Sequence, residues 1–516
     1  MKSAETIETL GDLYIRSCRW RASETLFADE HEAIGADRAL NLSASLARVF
    51  ALLGARKGEV VAFLAKCSAR HAIGWFAGPL GGQIVCNLHL RETPERIAEA
   101  LGWLDAKILV HDAEVSDLAR QVVACSGQGC KRISLGRRGD AAAGWEDIVA
   151  HVDDTGDARE RPSPSDLAAI ILSSGSTGKP KGVVHTQRSL VEAAKGGQYA
   201  FGGLSRHDAA LLYMQPSFAG WPIIVLPCVG AKAKVVFGGR FTPDSFLDAV
   251  ERERITLAPL VPTMWRMVFE QNLTHRNLSS IRMATIAGEP PAPSDIASLH
   301  SKICRRLASL YLSAEGLTAS GVVAFTEDLL RPGKAAATGL PAPGVDVRII
   351  DPSGGFADEL PRGIEGEIAV SGLSMAVGYW KDADLTSERF SNGWWRSGDL
   401  GYVDAEGDIR VTGRLDNIIN SGGIKVSGEE IERALLAHPA VTQCAVVGVA
   451  DAQFGQRVEA WVIPSEPALS ERELEAFCRE QVGLASFKLP RKFHIVPELP
   501  TGPTGKLYRR GLRHDT

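Results

Sequence analysis

The sequence predicts an α/β protein built from more than one folded unit, and three observations carry that expectation. Its 516 residues exceed what a single hydrophobic core organises. Over most of the chain, apolar runs of strand length alternate with helical patterns, which points to mostly parallel sheets. From about residue 332 the texture changes to short β-like pieces, and from Asn417 to a small α/β unit.

In order along the chain, 44–53 carries apolar residues at helical spacing and stops at Gly54. Residues 59–64 and 107–110 read as buried strands. The stretch 152–165 is polar and bears prolines, so it reads as a surface connection. Further strands are expected at 234–237, 256–260 and 283–287, giving a second α/β half beside the first. Beyond 332, pieces at 345–350, 366–370, 401–403 and 409–411 are broken by Gly, Pro and Asp, which suggests a compact β-barrel or distorted sheet. The last unit reads as helix 429–437, strands 443–449 and 458–463, and helix 471–482.

Composition narrows the function classes. Hydrophobic content of 45% with 23% charged residues is ordinary for a soluble globular protein, and a net charge of −5 argues against a nucleic-acid binder. Nine scattered cysteines, several in apolar context, read as buried reduced thiols rather than a disulfide or zinc framework. No signal pattern opens the chain, and no apolar run approaches the roughly 18–20 residues that span a bilayer. A cytoplasmic protein without an integral membrane segment is expected.

One stretch stands out. The apolar run 167–172 leads directly into Ser173, Ser174, Gly175, Ser176, Thr177, Gly178, Lys179, Pro180, Lys181 and Gly182. Glycines let backbone N–H groups approach an oxygen closely, hydroxyls add donors, and two lysines favour phosphate. It is not a Walker A loop, because two residues rather than four separate Gly175 from Gly178 and proline follows Lys179. Proline also prevents the loop from running simply into a phosphate-capping helix. Taken alone, the stretch also fits a flexible surface turn.

Five further features follow. They are Gly288-Glu289-Pro290 at a strand end, Tyr311-Leu312-Ser313-Ala314-Glu315, Ser397-Gly398-Asp399, Gly413-Arg414-Leu415-Asp416 before Gly422-Gly423, and Pro500 to Lys506. Individually each has an ordinary reading: Asp399 as a turn residue, Lys506 as a solvated lysine, Tyr311 and Trp395 as core aromatics. In this order and spacing, from about Leu10 to Arg510, the set resembles the adenylate-forming superfamily of acyl-CoA synthetases, peptide-synthetase adenylation domains and luciferase. In texture it is closest to the fatty-acyl and aryl acyl-CoA synthetases.

The resemblance implies a large N-terminal domain (1–415) of two α/β sheet halves, 1–160 and 161–331, with a β-barrel-like subdomain at 332–415. A mobile α+β domain, 416–516, would follow a hinge at Asp416. It implies an AMP-forming acid:CoA ligase using ATP, Mg²⁺ and coenzyme A on a small carboxylic acid. Ser173 to Lys181 would cradle the β- and γ-phosphates, and Glu315 with Ser173 would hold Mg²⁺. Tyr311 would stack on adenine, and Gly288 and Glu289 would belong to the cofactor-binding set. Asp399 and Arg414 would fix ribose and phosphate, Lys506 would bridge the attacking carboxylate and the α-phosphate, and Gly422-Gly423 would face the pantetheine channel. A homodimer is left open.

The chain departs from the family pattern at Leu312 and Ala314, where relatives carry glycine and threonine, and at Ala219, where they often carry histidine after Phe218. Leu312 and Trp221 are expected to shorten the acyl pocket toward a short-to-medium, cyclic or aromatic acid. Two alternatives stand beside the ligase: an acyl-AMP ligase loading a carrier protein, and a catalytically impaired nucleotide- or acyl-binding homologue.

Overall fold

The computed structural model describes residues 8–127, 129–150, 161–174, 180–288, 291–332, 334, 338–465, 469–500, 507–509 and 511–513. The chain divides into two compact units. One runs up to Val347 and includes Val370–Trp395; the other holds Arg348–Ala369 and the chain from Arg396 on. The division interleaves within the β-rich stretch; the hinge expected at Asp416 concerns motion and stays a proposal.

The first unit holds two sheets. Among the described residues the seven-stranded sheet runs, in spatial order, Gly378–Tyr379, Pro180–Thr186, Leu167–Ser174, Ile84–Asn87, Val60–Leu64, Ile108–His111 and Lys131–Ser134. Its pairings are parallel from Leu167–Ser174 to Lys131–Ser134 and antiparallel at the Pro180 end. The nine-stranded sheet runs from Leu340–Pro341 through Leu317–Phe325, Leu307–Ser313, Met283–Ala287, Leu257–Leu260, Ala209–Leu212, Lys234–Phe237 and Thr25–Ala28 to Ala33–Gly35. The expected strands at 234–237 and 283–287 match residue for residue.

Side-chain alternation explains how these sheets pack. Val61 and Phe63 face a core shared with Phe27, Leu212 and Phe237 of the other sheet. Val60, Ala62 and Leu64, one residue out of phase, face a second core with Ile97 and Leu101. The nine-stranded sheet does the same, sending Leu211, Val236 and Ile286 to its own outer core. Sheets buried on both faces read as continuous apolar runs, which is why these strands were legible. The helices Ala69–Gly81 and Gly220–Ala231 contribute to the shared core and are buried almost all round.

In the second unit, Asp399–Val403 pairs antiparallel with Ile409–Arg414. Beyond it, the strands Ile424–Ser427, Ile418–Ser421, Gly455–Pro464 and Val441–Asp451 lie side by side, and Lys492–Ile495 adds parallel to Gly455–Pro464. The helix Gly428–Leu436, capped by the Ser427 hydroxyl, covers one face through Ile431 and Leu435. The expected helix at 471–482 is α-helical only over Glu471–Ala476 and loosens into a π-turn at Phe477–Gln481.

Candidate active site

The Gly/Ser/Lys stretch is flanked by two paired strands that form the arms of a hairpin. Leu167–Ser174 extends two residues beyond the apolar run and pairs antiparallel with Pro180–Thr186, in the register Ser173↔Lys181 and Leu172↔Gly182. Proline at the first residue of a strand loses no interior ladder bond, so Pro180 starts this strand where it would have stopped a helix. Gly175, Ser176, Thr177, Gly178, Lys179, Glu289 and Lys506 lie outside the described residues, as does the Ser174 side chain.

The other edge of the return strand builds the site. Gly378 and Tyr379 pair with Val184 and Val183, and the Val377 and Trp380 N–H groups donate to Val184 O (2.9 Å) and Gly182 O (2.7 Å). This places the Lys181 ammonium 5.8 Å from the centre of the Tyr379 ring. The Tyr379 hydroxyl donates to Glu315 Oε1 at 3.0 Å, and the indole Nε1–H of Trp395 donates to the Tyr379 hydroxyl at 3.2 Å. Burial first, and then the adjacent Glu315 charge, push the Tyr379 phenol far above its ordinary value, so it stays a proton donor.

Glu315 itself sits in a pinned turn after the strand Leu307–Ser313. The Ala376 N–H donates to Glu315 O at 2.7 Å, and the Gly316 N–H donates to Ser313 Oγ at 3.0 Å. The structure thus joins Lys181, Glu315, Tyr379 and Trp395, which sequence reading left scattered. Tyr379 was missed outright, and Trp395 was assigned only to the core. Trp395 is buried, yet its indole N–H belongs to the site. No sequence signal links 315 to 379; only the strand pairing does.

The donor set can be tested against a cation. Glu315 offers hard carboxylate oxygens, and Ser173, across the hairpin register from Lys181, offers a hydroxyl. Among the described residues no cluster of three or more His, Cys, Asp or Glu could enclose a metal. A single carboxylate suits Mg²⁺, which keeps several waters and takes few protein ligands; it does not suit a cation needing an all-protein cage.

The other expected residues fall into two groups. Tyr311 is half-buried on the strand that leads to Glu315, and Gly288 follows the strand Met283–Ala287 with φ +95°. Phe218 lies 5.2 Å from the His89 ring, and His89 Nδ1 lies 2.7 Å from Ser217 Oγ. Ala219 caps the helix Gly220–Ala231 without a side-chain bond. Trp221, in contrast, has no exposed surface and packs between His71 and Trp75, each at 5.1 Å, and over Phe237. Leu312 leans on the neighbouring strand, where a Cβ at Gly321 would meet Leu312 Cδ2 at 2.5 Å.

In the second unit Asp399 and Arg414 meet across their strand pair, Nη1 to Oδ1 at 2.5 Å. Arg414 Nη2 also lies 3.7 Å from Asp416 Oδ2. Gly422 and Gly423, at φ +60° and +83°, form the turn between Ile418–Ser421 and Ile424–Ser427. Just after Lys506 in sequence, Arg509 makes a two-pronged bond to the buried Glu432 carboxylate (2.7 and 3.1 Å), and Leu512 packs with Val447 and Trp461.

This hairpin, its carboxylate turn and the C-terminal α+β unit define a nucleotide-dependent enzyme, and the chain belongs to the family of AMP-binding enzymes. The family model for AMP-binding enzymes matches residues 18–380, and that for their C-terminal domain matches 430–506. Among curated relatives, the chain is 31% identical to a feruloyl-CoA synthase of an Amycolatopsis species, over 91% of each chain. It is 30% identical to 4-coumarate–CoA ligase 1 of Oryza sativa subsp. japonica, over 92% of this chain and 85% of that one. Among solved structures it resembles the amide bond synthetase McbA of Marinactinospora thermotolerans, at 28% identity, 97% and 98% coverage, and a TM-score of 0.86.

Proposed function

We propose that the chain is an AMP-forming acid:CoA ligase. The reaction has two steps. A carboxylate oxygen attacks the α-phosphorus of ATP and the bond to pyrophosphate breaks, leaving an acyl-adenylate. The thiol sulfur of coenzyme A then attacks the acyl carbon, the bond to AMP breaks, and the thiol proton leaves to solvent. The observation that carries this reading is the connection of Lys181 on the anion hairpin, through Tyr379, to Glu315.

Phosphoryl transfer depends mainly on positioning and charge neutralisation, so a hairpin and a carboxylate held in one frame are the parts it needs. In this reading Ser173 to Lys181 bind the β- and γ-phosphates, Tyr311 and Gly288 flank the adenine, and Asp399 with Arg414 hold the ribose. Lys506 meets the α-phosphate. Glu315 and Ser173 would hold Mg²⁺, which supplies neutralisation of phosphate charge. Tyr379 keeps the Glu315 carboxylate oriented by donating its phenolic proton.

The acid is proposed to be aromatic or cyclic. The aryl-acid relatives support this, as does a half-buried Phe218 beside His89. The test is ATP–pyrophosphate exchange over a panel of aryl, cyclic and linear acids, with thioester formation measured with and without CoA. Exchange with aryl acids and thioester only with CoA is expected; a maximum with long-chain fatty acids would refute the substrate class. Because of the similarity to an amide bond synthetase, the panel includes an amine arm. Amide formed in preference to thioester would favour that second reading.

A further inference from the structure

The return strand Pro180–Thr186 carries a second connection to the carboxylate turn. His185 is wholly buried, and both of its ring nitrogens are engaged. Nε2 lies 2.8 Å from the Ala314 carbonyl oxygen and Nδ1 lies 3.2 Å from Ser189 Oγ. A carbonyl can only accept, so in the neutral ring Nε2 carries the proton and Nδ1 faces, unprotonated, the Ser189 hydroxyl, which is shared with the Thr186 carbonyl oxygen at 3.1 Å. Burial pushes the imidazole pKa down to about 4, so the ring is neutral and keeps this arrangement at working pH.

The Ala314 carbonyl belongs to the same peptide group as the Glu315 N–H. The imidazole therefore restrains the peptide from which the Glu315 side chain departs. The rest of the turn is tied by Ala376 N–H to Glu315 O and by the Ser374 hydroxyl to Gly316 O. Those ties come from the segment before Tyr379, which is itself paired to Val183 and Val184. His185 comes from the hairpin itself, 129 residues away in sequence.

We propose that His185 is a positioning residue for adenylate formation, which ties the return strand Pro180–Thr186 to the peptide preceding Glu315 so that Lys181 and the Glu315 carboxylate keep one relative geometry. The inference rests on the ligase reading above. It predicts an effect confined to the nucleotide half-reaction, because thioester formation from a finished adenylate no longer needs the β- and γ-phosphates.

The experiment uses the full chain with the most active acid of the panel. His185→Leu keeps apolar bulk and removes both hydrogen bonds; His185→Gln retains an amide donor for the Ala314 carbonyl. Exchange kinetics give kcat and the KM for MgATP, and thioester formation is measured separately from chemically prepared acyl-adenylate and CoA. For His185→Leu, kcat/KM for MgATP is expected to fall about 10–100-fold, as for other groups that orient a ligand-holding side chain. The thioester rate from preformed adenylate is expected to stay within about twofold, and His185→Gln to recover most of the loss. Exchange by His185→Leu within twofold of wild type overturns the proposal. So does a parallel loss in both half-reactions, or a His185→Gln variant as impaired as His185→Leu. A wild type that binds no MgATP and performs neither half-reaction instead refutes the ligase reading, and the inference with it.

Discussion

Tyr379 shows how one hydroxyl can organise a site. It accepts from Trp395, donates to Glu315 and presents its ring to Lys181. Tyr379→Phe removes both bonds while keeping the ring. A hydrogen bond to a charged group contributes about 1.5–3 kcal/mol, so pyrophosphate exchange should fall roughly tenfold or more while the fold survives. Steady-state exchange with circular dichroism as a folding control checks this; unchanged kinetics would remove Tyr379 from the site. Glu315 was visible beforehand, because a carboxylate following an aromatic at a strand end matched a motif. Tyr379 was not, because its importance comes from a contact with Glu315 across 64 residues. Leu312 teaches the same lesson: its position was legible, but its lean toward Gly321 depends on the neighbouring strand.

The hairpin is the element on which most of the site hangs. Its return strand was not expected, because residues 180–186, Pro-Lys-Gly-Val-Val-His-Thr, show neither a clean alternation nor a long apolar run. Pairing on both edges makes it an interior strand. Gly182 is needed there for close approach: a Cβ would meet Trp103 at 2.8 Å, Ile170 at 2.9 Å and Trp380 Cβ at 3.0 Å. Gly182→Ala should therefore overpack the hairpin by about 1–3 kcal/mol. The expected outcome is a lowered melting temperature and weaker MgATP binding, measured by thermal denaturation and titration calorimetry. A variant as stable and as tight-binding as wild type would contradict the close packing.

For the molecule as a whole, the buried histidines predict how stability responds to acid. Burial lowers His71 and His185 from 6.5 to about 4, and shifts His89 and His111 in the same direction. The unfolded chain then binds protons that the fold refuses, so this stability is present above pH 6.5 and is lost as the pH falls toward 4. Asp112 has the opposite sign. Burial raises it to about 6, so the fold gains by protonating it. His71 and His185 outweigh Asp112 by one proton, a loss of roughly 1 kcal/mol per pH unit between 6 and 4. The melting temperature should fall steadily from pH 7 to 5; a flat or rising profile would count against these neutral imidazoles.

The two half-reactions make a second demand at this level, since they need different arrangements of groups. Lys506→Ala should keep the fold and reduce adenylate formation on the order of 10²–10³-fold. Asp416→Pro should lower thioester formation much more than pyrophosphate exchange if the chain hinges there. Equal loss of both half-reactions would argue against the hinge.

Two kinds of information built this protein. The apolar runs at 59–64, 234–237 and 283–287, and the ordered motifs from Ser173 to Lys506, were readable from the sequence alone. Burial of a strand on both faces, and the chemistry of a Gly/Ser/Lys turn, are local properties written in adjacent residues. The frame that joins Lys181, His185, Glu315, Tyr379 and Trp395 was decided only by tertiary structure, as were the interleaved units. Each of those contacts depends on which strand edge lies next to which, and edge pairing is settled by packing across the whole sheet rather than by any neighbouring residue.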